Sequence, residues 1–152
     1  MKRRAILACA LAGASWALAA DPVRLPLAES LQGELAAALR AKTPLLVMVS
    51  LEGCIHCAMV REQHLVPLLA QGRQPVVQID MRGPRPLVDF AGQRRTHDQV
   101  VRSWGVETAP TLLFLGREGR EIAPRLRGAS IPDFYGAYLE ERIQVARRQL
   151  SY

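Results

Sequence analysis

Two cysteines, Cys54 and Cys57, are separated by two residues and form a C-x-x-C pair. Two thiols at this spacing can act as a redox dithiol, can close a structural disulfide, or can supply two ligands of a metal site. The question of what the chain does begins with which of these roles the pair fulfils.

The residues favour a redox dithiol over the alternatives. A structural disulfide stabilises least when its loop is short, and this loop is about as short as a loop can be. A zinc site needs four ligands, and the remaining candidates are His56, His64 and His97, the first of which lies inside the pair. Covalent haem attachment needs His directly after the second cysteine, where this chain has Ala58.

The elements around the pair would place it at a strand-to-helix junction. Residues 45–51 form a nearly unbroken apolar run, typical of a strand buried on both faces, and Gly53 lets the chain turn. From Cys54 onward the apolar residues follow helical spacing to about Gln71, with Pro67 expected to kink or restart the helix. Cys54 is thus expected at a helix N-terminus, where free N–H groups and the helix dipole stabilise a thiolate.

The pattern of apolar residues over the rest of the chain predicts one α/β domain. Strand, helix and strand around the cysteines make a right-handed βαβ unit with parallel strands. The further predicted elements are a helix after Ser30, strands at 75–80, 111–115 and 120–126, a loop over 81–95, a helix at 98–104, and a last helix from a capping-box-like start at Ser130.

Residues 1–20 have the features of a secretory signal peptide. A basic start is followed by a 14-residue apolar run and a small-x-small pattern just before Asp21. We predict cleavage after Ala19 or Ala20, a periplasmic location, and a mature domain over 21–152. The alternative is an uncleaved anchor, although the run is shorter than the ~20 residues that span a bilayer.

Composition narrows the possible functions. The chain carries a formal charge of +6, but three of its 20 basic residues lie in the predicted signal peptide, together with the third cysteine, Cys9. The two basic doublets that remain have no aromatic residues between them, so no nucleic-acid partner is expected. The body of the chain has no run of 18 apolar residues, which excludes a multi-span membrane protein.

The chain resembles the thioredoxin superfamily. The resemblance rests on the apolar run leading into Cys54-Ile55-His56-Cys57, a strand ending at Asp80, the segment Gly105-Val106-Glu107-Thr108-Ala109-Pro110-Thr111 before another strand, and a hairpin ending at Gly128. It covers about residues 28–147 and implies a thioredoxin-like fold with a central mixed sheet flanked by helices. More narrowly, the chain resembles periplasmic thioredoxin-like proteins, including those of sulfur-oxidation gene clusters.

The resemblance also implies roles for individual residues. Cys54 would be the attacking thiol and Cys57 the more buried resolving thiol. Pro110 would be a cis-proline beside the disulfide, which would leave the backbone of Ala109 free to pair with an extended substrate segment. Gly128 would keep that face open.

Two features depart from the resemblance. Many thioredoxins carry a buried Asp where this chain has Met48, so a buried proton acceptor for Cys57 is missing. Glu52, the nearest carboxylate in sequence, is the candidate to modulate the cysteines in its place, and the alternative for Glu52 is a solvated loop charge. The segment 81–97 is also longer than in a minimal thioredoxin. Because it leaves the carboxyl end of a parallel strand, where ligands bind in open α/β sheets, we expect Arg94, Arg95 or His97 to help choose the partner.

These observations predict an exported, monomeric thiol–disulfide oxidoreductase without metal or cofactor. The resemblance favours reduction of partner-protein disulfides, with electrons from a membrane donor, whereas a protonated His56 between the cysteines would favour an oxidant. The alternative is a redox-silent binding module that holds Cu(I) or a client protein through Cys54, Cys57 and His64.

Overall fold

A four-stranded mixed sheet forms the centre of the domain in the computed structural model, which describes residues 24–129 and 132–151. The predicted signal peptide and the predicted helix start at Ser130 lie outside the described residues. The strands, in the order in which they pair, are β2 (Val76–Asp80), β1 (Leu45–Ser50), β5 (Thr111–Leu115) and β6 (Glu121–Arg127).

The central strand β1 is buried along its whole length, as the apolar run predicted. It pairs in parallel with β2, from Leu46 opposite Val76 to Ser50 opposite Asp80, which confirms the βαβ unit. Its other neighbour, β5, is antiparallel, and β5 pairs antiparallel with β6. The prediction of a mixed sheet flanked by helices is therefore confirmed.

Successive residues of β1 face two separate cores because side chains alternate along a strand. Leu46 and Met48 belong to one apolar cluster, which also holds Leu139 and Ile143 of the C-terminal helix α5 (Pro132–Leu150). Leu45, Val47 and Val49 belong to the other cluster, which is closed by α1 (Leu31–Arg40) and α4 (His97–Ser103). The sheet thus lies between two layers of helices.

The helix that begins after Cys54 is interrupted before Pro67. It consists of α2 (Ile55–Val60), a π-helical turn (Arg61–Leu65) and α3 (Val66–Ala70). The N–H of Val66 donates to the carbonyl of Arg61, five residues back, and Pro67 has no N–H to continue the α-helical ladder. The kink or restart predicted at Pro67 takes the form of a π-helical turn between two α-helical segments.

The segment predicted as a loop over 81–95 contains a small hairpin, and the loop prediction is wrong there. β3 (Pro86–Val88) pairs antiparallel with β4 (Arg94–Thr96). Leu87 is buried in the core beside α1 and α4, which anchors the hairpin to the domain. The helix α4 then begins at His97, one residue earlier than predicted, with Thr96 and Gln99 forming a capping box.

The N-terminal segment pairs with β2 on the side away from β1. The N–H of Gln78 donates to the carbonyl of Pro26, and the N–H of Ala28 donates to the carbonyl of Gln78, both at 2.8 Å. Within the described ranges, no helix is long and apolar enough to cross a membrane.

Candidate active site

The two cysteines form a disulfide at the N-terminus of α2. Their Cα atoms are 5.2 Å apart. Cys54 occupies the N-cap position with extended backbone angles, and its Sγ accepts a 3.1 Å hydrogen bond from the backbone N–H of Cys57. Cys54 is half-buried, whereas Cys57 is 1 % exposed. The two sulfurs therefore differ both in access and in hydrogen bonding.

The loop before β5 lies directly beside Cys54. The peptide bond between Ala109 and Pro110 is cis, and the carbonyl oxygen of Ala109 lies 3.9 Å from the Sγ of Cys54. The carbonyl oxygen of Pro110 accepts a 2.7 Å hydrogen bond from the N–H of Gly128. Gly128 has a φ of 69°, a conformation that favours glycine, and this bond ties the hairpin end to the proline.

A family model for thioredoxin-like domains matches residues 31–143, which include the disulfide, Ala109, Pro110 and Gly128. The chain belongs to the thioredoxin-like family. Among curated proteins, none matches its sequence significantly.

Solved thioredoxins share this fold at low sequence identity. Mitochondrial thioredoxin 3 of Saccharomyces cerevisiae aligns with a TM-score of 0.51 at 19% identity, covering 79% of this chain and 93% of its own. Thioredoxin NaTrxh of Nicotiana alata aligns with a TM-score of 0.50 at 21% identity, covering 81% and 96%. A thioredoxin-like fold with a C-x-x-C pair at disulfide distance makes this domain a thiol–disulfide oxidoreductase.

The two residues predicted to modulate the cysteines are at the surface of the thioredoxin-like domain. Glu52 and His56 are both exposed. Among the described residues, neither side chain makes a hydrogen bond to a cysteine. Any influence of these charges on the sulfurs therefore acts through space and through solvent, where it is weak.

Cys57 has an apolar environment. It shares one core cluster with Met48, which is fully buried at the position where the family resemblance would place an acid. Among the described residues, no side-chain carboxylate forms a hydrogen bond with either cysteine. The structure therefore shows no residue in direct contact that would take the place of the missing buried acid.

A cleft of about 880 Å³ opens beside Cys54, on the β2 side of the pair. Its walls are the loop after β1, the loop after β2 and one face of the cysteine helix. The polar and sulfur-bearing residues that line it include Cys54, Glu52, Arg61, Gln78, Asp80 and Arg82.

A chain of hydrogen bonds joins lining residues of the cysteine helix, β1 and β2. Nη1 of Arg61 donates to Oε1 of Gln78 at 2.7 Å and to Oγ of Ser50 at 3.4 Å. Nε2 of Gln78 in turn donates to Oδ1 of Asp80 at 2.7 Å. Arg61, Gln78 and Asp80 were not predicted as site residues.

The spacing of residues in the sequence could have indicated that Arg61 lies on the same side of the helix as Cys54. Cys54, Ala58 and Arg61 follow the i, i+4, i+7 spacing of one helix face, and all three line the cleft.

The expected role of His97 in partner choice is wrong, because its ring is fully buried. Its Nδ1 accepts a 2.9 Å hydrogen bond from the N–H of Asp80, and its Nε2 lies 3.0 Å from the carbonyl oxygen of Ala28. Of the two arginines, Arg95 is half-buried, 3.9 Å from the carboxylate of Asp89, and Arg94 is exposed. A partner can therefore reach both arginines, and Arg94 is the more exposed of the two.

His64 lies on the far side of the cysteine helix from the cleft, against α5. Its ring centroid is 5.1 Å from that of Tyr135, and burial lowers the pKa of the imidazole. Burial also raises the pKa of the Tyr135 hydroxyl, whose oxygen has no hydrogen-bond partner among the described residues. In the described ranges, no group of three His, Cys, Asp or Glu side chains could hold a metal ion.

Proposed function

We propose that this protein is exported to the periplasm and there reduces disulfides of partner proteins, with Cys54 as the attacking thiol and Cys57 as the resolving thiol. The observation that carries the assignment is the difference between the two sulfurs. Sγ of Cys54 is accessible and accepts a backbone N–H at the start of a helix, whereas Cys57 is buried. A hydrogen bond to the charged form favours a thiolate at Cys54.

The proposed reaction transfers two electrons from the dithiol to the substrate. The Cys54 thiolate attacks one sulfur of the substrate disulfide, whose S–S bond breaks, and the departing substrate thiolate takes up a proton. The thiolate of Cys57 then attacks Sγ of Cys54 and displaces the second substrate thiolate. The products are the Cys54–Cys57 disulfide and a reduced partner with two thiols.

The backbone beside Pro110 is the proposed substrate-binding element. The carbonyl of Ala109 lies 3.9 Å from Sγ of Cys54, so an extended segment that pairs with this backbone would bring its own disulfide to the attacking sulfur. Client proteins with accessible disulfides are thus the proposed partners, and the domain acts as a monomer.

Reduction requires a source of electrons outside the cytosol. The basic start and short apolar run of residues 1–20 support export, and a membrane protein that carries electrons across the bilayer would return the disulfide to the dithiol. We place the protein with the periplasmic thioredoxin-like proteins of the kind found in sulfur-oxidation gene clusters.

The reduction potential of the Cys54–Cys57 pair tests the direction. The mature protein would be equilibrated with glutathione or dithiothreitol buffers and its free thiols alkylated and counted. A potential near that of thioredoxin, about −270 mV, is expected, whereas one near that of DsbA, about −120 mV, would make the protein a disulfide donor. If no reversible disulfide formed, the proposed reaction would be wrong.

Export is tested separately. The full chain with a C-terminal tag would be expressed in a Gram-negative host, and the periplasmic fraction would be analysed by intact mass. The expected mass corresponds to a chain that begins at Ala20 or Asp21. Retention of the whole tagged chain in the cytosol would contradict export.

A further inference from the structure

Four charged residues line the cleft beside Cys54, namely Glu52, Arg61, Asp80 and Arg82. Two of them, Arg61 and Asp80, carry opposite charges that one amide links without a direct ion pair. Arg61 and Asp80 both line it, and the amide of Gln78 lies between them, accepting from the guanidinium and donating to the carboxylate. Among the described residues, neither forms an ion pair within 4.0 Å. The amide holds both side chains in place and keeps the charges apart.

Both charged groups have unused hydrogen-bonding capacity. Arg61 donates through Nη1, so Nε and Nη2 remain available, and Asp80 accepts through Oδ1, so Oδ2 remains available, counting the bonds of the described residues. A guanidinium prefers a carboxylate and an aspartate prefers an ammonium group. A fixed cation and a fixed anion in one cleft thus match a ligand that carries both groups.

The attacking sulfur lines the same cleft. Cys54 and Arg61 are seven residues apart on one helix face, which corresponds to about 10 Å along the axis. The cleft, at about 880 Å³, is of the size that encloses a small molecule. It also lies on the β2 side of the cysteines, whereas the Ala109 backbone proposed for extended protein segments lies on the β5 side.

We propose that this cleft binds a low-molecular-mass disulfide with α-amino-acid head groups, of which cystine is the simplest, with its carboxylate on Arg61 and its ammonium on Asp80. The inference rests on the proposed function, because it uses Cys54 as the attacking thiol. The ligand is a second class of substrate for the same dithiol, beside protein disulfides.

The reaction with cystine balances without a further reagent. The Cys54 thiolate attacks one cystine sulfur, the cystine S–S bond breaks, and one cysteine departs and takes up a proton. Cys57 then displaces the second cysteine from the mixed disulfide. Two electrons pass from the protein dithiol to cystine, and the two thiol protons end on the two cysteine products.

The test is a single-turnover oxidation of the reduced mature protein by four small disulfides. Cystine carries both charges, 3,3′-dithiodipropionate only carboxylates, cystamine only ammonium groups, and 2-hydroxyethyl disulfide no charge. The protein is quenched by alkylation, and the fraction oxidised is read by mass. Each rate is expressed relative to that of 2-hydroxyethyl disulfide with the same variant, which cancels general changes in the dithiol.

Substitution of Arg61 and substitution of Asp80 should slow the reaction with different disulfides. Arg61→Gln should lower the relative rates with cystine and dithiodipropionate about two- to fivefold, and Asp80→Asn those with cystine and cystamine by a similar factor, as for partly exposed ion pairs. Arg61→Lys should restore part of the loss. Arg40→Gln removes the same charge at an exposed residue outside the cleft and should change none of the ratios.

The outcomes distinguish the inference from the proposed function. If wild-type protein is oxidised by none of the four disulfides and does not reduce insulin, the proposed function is wrong. If all four react but the ratios do not depend on Arg61 or Asp80, the function stands and the cystine site is wrong. An equal loss of insulin reduction in Arg61→Gln would also overturn it, since the cleft would then serve protein substrates. Urea unfolding of each variant verifies that it is folded.

Discussion

The backbone N–H of Cys57 donates a hydrogen bond to the Sγ of Cys54, 3.1 Å away. The residue that forms the second half of the disulfide thus also stabilises the first sulfur through its backbone. Replacement of the Cys57 side chain leaves this N–H in place, whereas replacement of Cys54 removes the acceptor itself. The two cysteines are for this reason not equivalent in a mutational test.

Trapping of a mixed disulfide should depend on which cysteine remains. Cys57→Ser retains the more accessible sulfur and its N–H donor, so it should accumulate a covalent adduct with a disulfide substrate such as insulin, because nothing resolves it. Cys54→Ser should form at least tenfold less adduct, since the remaining sulfur is buried. Intact-mass analysis after acid quenching measures both. Equal adduct formation would contradict the assignment of the nucleophile.

His56 should raise the reduction potential of the pair. The imidazole is exposed next to the disulfide, and a positive charge there stabilises the thiolate of the reduced form. His56→Ala should shift the potential to a more negative value by on the order of 10–30 mV, where 30 mV corresponds to about 1.4 kcal/mol. Glutathione equilibration measures the shift. Added salt should shrink it, and a shift toward positive potentials would contradict the electrostatic account.

His97 should matter for stability rather than for catalysis. Loss of its ring removes the partner of the part-buried N–H of Asp80 and of the buried carbonyl of Ala28. Because each unsatisfied buried group costs about 1–3 kcal/mol, His97→Phe should lower the free energy of unfolding by about 2–4 kcal/mol in urea. The control His56→Phe makes the same exchange at an exposed site and should change it by less than about 0.5 kcal/mol. A loss below 1 kcal/mol for His97→Phe would argue against the ring as a structural link.

Stability should fall on the acid side because of His64. Burial lowers the pKa of this imidazole in the folded state below its ordinary value of 6.5. Between the two pKa values the unfolded chain binds more protons, so the free energy of unfolding decreases as the pH falls below about 6.5. His64→Gln should show a smaller decrease between pH 7.5 and pH 5.5. Urea midpoints at the two pH values measure it, and identical slopes for wild type and variant would contradict the prediction.

Two glycines with similar backbone angles should respond differently to alanine. Gly119 and Gly72 have φ of 71° and 67°. A Cβ at Gly119 would overlap the ring of Phe90, whereas a Cβ at Gly72 would meet no described atom within 4 Å. Gly72→Ala should cost about 1–2 kcal/mol for the left-handed conformation, and Gly119→Ala about 1–3 kcal/mol more for the clash. Thermal unfolding of both variants gives the difference, and equal losses would show that Phe90 moves aside freely.

Much of the fold can be predicted from the pattern of apolar residues along the sequence. The continuous apolar run at β1 predicted a strand buried on both faces, and Leu45–Ser50 is buried throughout. The alternation of strand and helix predicted the parallel pairing of β1 with β2. Such patterns are readable because they depend on local periodicity and on burial that involves many residues at once.

The site was only partly predictable, for physical reasons. The hairpin of β3 and β4 has three residues in each strand, so it offers no periodicity, and Leu87 is its one buried core residue. His97 could not be assigned to the interior, because a histidine is equally compatible with surface and core until its hydrogen-bond partners are known. The Arg61–Gln78 contact could not be predicted either, because it joins two side chains that are 17 positions apart in the sequence.

The pairing of the N-terminal segment with Gln78 has a consequence for self-association. The outer side of β2 would otherwise present unpaired N–H and C=O groups, which act as a template for strand addition from another molecule. Pro26 and Ala28 occupy those of Gln78, near the middle of β2. At the opposite border of the sheet, β6 carries Pro124, which has no N–H to offer an incoming strand. Any proteolytic trimming that removed Pro26 and Ala28 would uncover the backbone groups of Gln78 at the β2 border and favour strand addition from another molecule.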